Sequence, residues 1–315
     1  MPAMIENMFS VSETPWHGLG EILDAPPTIE EGIKLAGLDW DVSLLPLVTK
    51  TGIDAPANAV CRQVGDQTKV LGVVGPRYQP LQNRDAFSWF NPFIETGEVA
   101  LETAGSLDEG KRIWVMAKIN RDPSEIVKGD EVLKYLMLSN SHDGTLAIRV
   151  GYTPIRIVCA NTLAMAHGSN ASKLVRVRHT KSSKMALEKL HEVMNNIDAE
   201  FEATADQFRF LASRMFNQAD VRKYVKAVLG NGKVAEEDLS TRTKNTINSI
   251  VDLIDHEYQK TALGSWWAAY NSVNQYLNYD ASRNTNNRMG SLWFGANGKT
   301  NDLALELALE YANAA

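Results

Sequence analysis

Cysteine is almost missing from this chain: Cys61 and Cys159 are its only 2 thiols in 315 residues. Two isolated thiols cannot make a disulfide framework, and the expectation is a reduced, cytoplasmic protein. Long apolar runs are missing too. No run approaches the roughly 18 residues needed to cross a bilayer, so no membrane partner is expected. The start, MPAMIENMFS, has neither a basic segment nor an apolar one, and no signal peptide is read there. Equally absent are a G-x-x-x-x-G-K-[ST] loop, a zinc spacing and a dinucleotide fingerprint between strand and helix. A nucleotide-driven enzyme is therefore not expected, and no cofactor is.

Positive charge is in deficit, with a net charge of -6, which argues against a nucleic-acid binder that uses its whole surface. It leaves room for a local basic patch, because association follows the field at the site. That patch exists in the sequence. Lys173, Arg176, Arg178, His179, Lys181 and Lys184 fall close together, and a strand through 172–180 puts Arg176 and Arg178 on one face and Val175 and Val177 on the other. Arg149 lies near the end of the preceding strand. Such a cluster reads as phosphate contacts, as a solvated face, or as a site for an acidic protein.

The stretch around which the rest is organised is Glu131–Ala166. Leu133–Leu138 and Leu146–Tyr152 read as strands, joined through Asn140-Ser141-His142-Asp143-Gly144, whose glycine suits a tight turn. Thr153-Pro154 reads as a helix start, placing Arg156 in the first turn and Val158, Cys159, Thr162 and Ala166 at helical spacing. Elsewhere, Thr28-Ile29-Glu30-Glu31 is a capping box. Trp40–Val48 reads as a strand, and Ala59–Gln63 with Lys69–Val74 as a hairpin. A further hairpin, 99–105 with 112–120, turns at Leu107–Gly110. Arg121–Asp130 reads as a polar loop. From Ser183 to about Leu229 the pattern is helical with one break near Asn217-Gln218, and the C-terminal third is helical over 241–260, 264–277 and 303–311.

The predicted fold is α+β: an antiparallel sheet with helices packed on one face, followed by a mainly helical C-terminal part. The expected domains are 1–180 and 181–315. Within the helical part, Trp266, Trp267, Tyr270, Asn271, Asn274, Tyr276 and Tyr279 suggest base stacking or, at this spacing, a helix packed in the core. His142 beside Asp143 suggests a base or metal ligand, against the plainer reading of a turn.

Six strings, in order, resemble the phage/plasmid-like protein family, a domain-of-unknown-function family of phages and mobile plasmids. They are Pro15-Trp16-His17-Gly18-Leu19-Gly20, Tyr78-Gln79-Pro80-Leu81-Gln82-Asn83, Asn140-Ser141-His142-Asp143-Gly144, Arg156-Ile157-Val158-Cys159-Ala160-Asn161-Thr162-Leu163, Asn271-Ser272-Val273-Asn274-Gln275-Tyr276 and Ser291-Leu292-Trp293-Phe294-Gly295. The middle order of elements is similar, at the level of plan, to the single-strand annealing recombinases of the RecT and Red-beta superfamily. That resemblance implies a non-enzymatic homo-oligomer, a ring or filament, that holds single-stranded DNA in recombination or replication. On this reading Arg149, Arg156, Lys173, Arg176, Arg178, Lys181 and Lys184 neutralise phosphates and Tyr152 stacks a base. The alternatives are a metal- or His/Asp-dependent enzyme acting on nucleic acid and a host-takeover factor that binds an acidic protein.

Overall fold

A computed structural model of the protein describes residues 5–11, 20–156, 174–193, 197–281, 291 and 295–314. The chain divides into two compact units that interleave in sequence. The first holds Met1–Arg121, Tyr135–Tyr152 and Leu174–Ile197, and the second holds Asp122–Lys134, Thr153–Lys173 and Asp198–Ala315. The division therefore does not fall at residue 180. Strand Leu174–Val177 pairs back onto Ile148–Gly151, which draws the segment after it into the first unit.

In the first unit, Thr28 caps helix α1 (Ile29–Leu35): its hydroxyl accepts from Glu31 N at 3.3 Å and its backbone N donates to Glu31 Oε2 at 2.9 Å. The capping box reads through to structure because both bonds are local. Helices α2 (Asn83–Ser88) and α3 (Asn91–Glu95) follow further on, and α4 (Ser183–Val193) later still. Strands β1 (Ile5–Val11), β2 (Glu21–Leu23), β6 (Val99–Leu107), β7 (Arg112–Ile119), β8 (Ser124–Val127), β9 (Asp130–Ser141), β10 (Ile148–Arg156) and β11 (Leu174–Val177) make the larger sheet. Its order is β11-β10-β9-β7-β6-β1-β2, with β8 paired to β9. Among the described residues these strands pair antiparallel except β1–β2, which is parallel.

One face of this sheet carries the core. Ile113, Val115 and Ala117 of β7 alternate with Trp114, Met116 and Lys118, and the first set joins Leu136, Leu138, Ile148, Val150 and Val177 beneath Ile33 of α1, Phe87 of α2 and Leu187 of α4. The Trp89 indole donates to the Leu187 carbonyl at 2.9 Å. This is the expected antiparallel sheet with helices on one face. A separate three-stranded sheet, β3 (Val42–Val48), β4 (Asp54–Val64) and β5 (Gln67–Val74), has its own small core of Val42, Val60 and Val74.

The second unit is mainly helical. The described helices are α5 (Ile197–Ser213), α6 (Gln218–Val228), α7 (Thr241–Asp252), α8 (Trp266–Gln275) and α9 (Ala296–Ala314). Asn217 caps α6, accepting from Asp220 N at 2.9 Å, so the expected break stands where it was read. Every residue of α8 is buried, which decides for the core reading of Trp266, Trp267, Tyr270, Asn271 and Asn274, whereas Tyr276 and Tyr279 lie beyond it and are half-buried. Trp267 packs on Phe208 at 4.6 Å between ring centroids, and Trp266 packs on Tyr224 and Tyr311 at 5.5 and 5.4 Å.

Two expectations are corrected. Residues 121–130 are not only loop, since Ser124–Val127 pairs with β9. Thr153-Pro154 does not start a helix: the strand runs on through Arg156. Among the described residues the β10–β11 register covers Ile148–Gly151, and Pro154 stands further along β10, a strand position that proline tolerates where it owes no ladder bond. The remainder of the expected helix, 157–166, lies outside the described residues.

Candidate nucleic-acid interface

The basic residues sit on and beside β11, the outermost described strand of the larger sheet. Registration of β10 with β11 places Ile148 opposite Val177 and Val150 opposite Val175, and those four side chains contribute to the core. The alternate pair, Arg149 opposite Arg176, therefore points away from it. Arg176, Arg178 and Lys181 are exposed. Among the described residues none of these three has a carboxylate partner. Arg149 is half-buried, and burial first, then the Arg176 guanidinium, lowers its pKa from the usual arginine value. Like charges opposite each other across two strands repel, and an anion between them relieves that cost.

The other expected contacts fare differently. The Lys184 ammonium is already 2.9 Å from Asp85, a surface pair that diverts it from phosphate. Tyr152 is 4% exposed, so it offers no open ring face, and its assignment as a stacking residue is withdrawn. A β-strand residue on a covered sheet cannot be told from an exposed one by type alone. Only the backbone of Arg156 is described, and Lys173 lies outside the described residues.

Behind this edge stands a polar cluster that joins two of the sequence strings. Asn83, at the first turn of α2, donates to the carbonyls of Leu38 and Trp40 at 3.1 and 3.2 Å. Its side-chain oxygen is left to accept, and His142 Nε2 lies 2.8 Å from it. His142 thus donates through Nε2, and its Nδ1 is a lone-pair nitrogen with no hydrogen-bond partner among the described residues. The ring is fully buried and meets Trp40 edge-on at 5.4 Å. Arg62 caps the other ring, its guanidinium 4.7 Å from the Trp40 centroid. Burial above all, helped by the nearby charges of His179 and Arg62 and opposed by Asp143, pushes the His142 pKa down to about 3. A neutral, enclosed imidazole is badly placed to be a base for a substrate, and the His142–Asp143 catalytic reading finds no support in this geometry.

The turn itself is as read. Asp143 Oδ1 accepts from Thr145 N at 2.9 Å and Gly144 has φ +76°. Tyr78 reaches the same place, its hydroxyl donating to the Ser141 carbonyl at 3.0 Å, and its ring stacks on His179 at 4.6 Å. Burial, then the charge of Asp143, raises the Tyr78 pKa. The three-stranded sheet closes on the turn through Gly72, where a Cβ would come within 2.6 Å of the Asp143 Cα. Gly72→Val is expected to lower stability by about 1–3 kcal/mol, read as a shift in the denaturant midpoint. An unchanged midpoint would mean that this contact opens readily.

A family model described as a domain of unknown function, DUF932, matches residues 70–293, well over half of the chain. The chain belongs to that family. The DUF932 region includes Tyr78, Asn83, Asn140, His142, His179 and the whole basic edge, and excludes Trp40 and Arg62. No curated protein and no solved structure matches the chain significantly. Among the described residues no helix is long and apolar enough to cross a membrane, and no group of three or more His, Cys, Asp or Glu side chains is arranged to hold a metal ion.

Sequence reading found the strings Tyr78–Asn83 and Asn140–Gly144 but not that Asn83 and His142 touch. They are separated by 59 positions, and no local spacing reports a contact of that kind. Trp40, Arg62 and the bonds of His179 were missed for the same reason.

Proposed function

We propose that this DUF932 protein binds single-stranded DNA along the β10–β11 edge, without catalysis. The setting would be recombination or replication of a phage or plasmid, where a homo-oligomer anneals or protects single strands. The observation that carries the reading is the exposure of Arg176, Arg178 and Lys181 on one edge strand and the turn after it, with no described carboxylate against them. With Tyr152 enclosed, contact is to the phosphate backbone, and affinity should depend little on base identity.

Fluorescence anisotropy with a labelled oligonucleotide tests this. Three or four phosphate contacts on a single strand predict a loss of about 20- to 50-fold in affinity from about 50 to about 200 mM salt. Arg176→Glu and Arg178→Glu should each cost on the order of tenfold, with the fold retained by circular dichroism. Flat salt dependence, or wild-type affinity in the double variant, would overturn the reading. So would capture of an acidic protein from nuclease-treated lysate by a chain with no DNA affinity.

A further inference from the structure

His179 follows directly on the basic strand, and its surroundings are unusual for a buried histidine. Its Nδ1 lies 3.2 Å from the backbone carbonyl of Gln79 and its Nε2 lies 3.2 Å from the backbone carbonyl of Leu146. A carbonyl oxygen only accepts. A neutral imidazole carries one N–H, so it can satisfy one of these carbonyls and must turn a lone pair toward the other. The imidazolium donates to both. Its main chain is fastened in the same place, because Gln79 N donates to the His179 carbonyl at 3.1 Å. The ring thereby bridges the Tyr78–Gln79 loop and the β9–β10 turn to the segment that carries Arg178 and Lys181.

We infer that His179 is a positioning residue through which protonation strengthens DNA binding at the basic edge. The inference rests on the DNA-binding reading above. A proton on the ring replaces a lone-pair repulsion with a second hydrogen bond and holds Arg178 and Lys181 in one arrangement. It also adds a positive charge behind them. Bound phosphate in turn favours the charged ring.

The groups that face His179 set where this occurs. Tyr78 stacks on it from the loop. From the turn, the charge of His179 acts on His142, as do Asp143 and Arg62, while His142 itself stays uncharged. Arg176, Arg178 and Lys181 are on its own segment, and Lys184, on α4, is held by Asp85 of α2. Burial lowers the His179 pKa below 6.5, while the two carbonyls raise it in part. His142, pushed down to about 3, stays neutral through the whole range and does not confuse the readout.

The test compares wild-type protein and His179→Gln for affinity to a labelled oligonucleotide at fixed salt between about pH 7.5 and 5.5. One coupled proton can change affinity by at most about tenfold per pH unit. Wild type should bind about three- to tenfold tighter at the acid end than the variant does, after each is normalised at the alkaline end. Equal pH profiles would overturn the inference. Because the variant could fail to fold, a second measurement uses wild type alone: the His179 ring protons are titrated by NMR with and without oligonucleotide. By reciprocity of linkage, DNA must raise the titration midpoint, and an unmoved midpoint overturns the inference. Salt-sensitive binding with no pH effect defeats only the role of His179. Absence of binding at every pH defeats both readings together.

Discussion

Acidification below about pH 6.5 is expected to weaken the fold of the first unit by about 1.4 kcal/mol per pH unit through His142, with a smaller contribution of the same sign from His179. The folded-state pKa is lowered to about 3, whereas the unfolded chain has the ordinary histidine value near 6.5. In that window the unfolded chain binds the extra proton, so stability is full above 6.5 and is lost as pH falls toward 3. At the lower limit the loss is about 5 kcal/mol, comparable to the whole stability of many domains. His142→Gln keeps a donor for Asn83 Oδ1 and cannot titrate. It should cost about 1–3 kcal/mol at neutral pH and flatten the slope between about pH 6.5 and 4.5. Hydrogen exchange at the β9 amides across that range provides the measurement. The carboxylate Glu202, whose pKa is lowered chiefly by its bond to Ser124 and then by Lys134 and Arg209, begins to lose its partners only below about 4.5 and so acts in a different window. An unaltered slope in the variant would show that His142 is reached by solvent.

Trp267→Ala is expected to be the most damaging single substitution in the second unit, at about 3–5 kcal/mol. The indole is 2% exposed, packs on Phe208 and Tyr270, and donates from Nε1 to Asp130 Oδ2 at 2.9 Å. Asp130 is itself fully buried and takes a second bond from Thr261 at 3.3 Å. Removing the indole leaves both a void and a buried carboxylate short of a donor. Trp267→Phe separates the two, keeping most of the volume and losing the N–H, and should cost about 1–3 kcal/mol. Urea denaturation followed at the α8 amides distinguishes them. If Phe proves as damaging as Ala, the bond to Asp130 outweighs the packing. If Phe is silent, Asp130 has found water or another donor.

Local signals carried furthest where the physics is local. The Thr28–Glu31 box, the Asn217 cap and the alternation of Ile113, Val115 and Ala117 each depend on residues within a few positions, and each appears as read. Thr153-Pro154 shows the limit. Proline suits the first turn of a helix, but it is also tolerated in a strand, and only the structure, where β10 runs on through Arg156, distinguishes these. Tyr152 failed for a related reason: strand alternation assigns a face but does not say whether that face is covered.

The sequence alone determined the α+β plan, the helical character of the last third, the turn at Asp143-Gly144 and the density of positive charge after residue 172. Those follow from periodicity, from backbone preferences at glycine and proline, and from charge counted along the chain. The tertiary structure decided which of those charges stand clear of carboxylates, that His142 is shut in beside Asn83 and Trp40, and that His179 faces two carbonyls. Each of these depends on residues tens of positions apart being brought within about 3–5 Å, and burial, which sets the protonation of both histidines, is a property of what surrounds a side chain and not of the side chain itself.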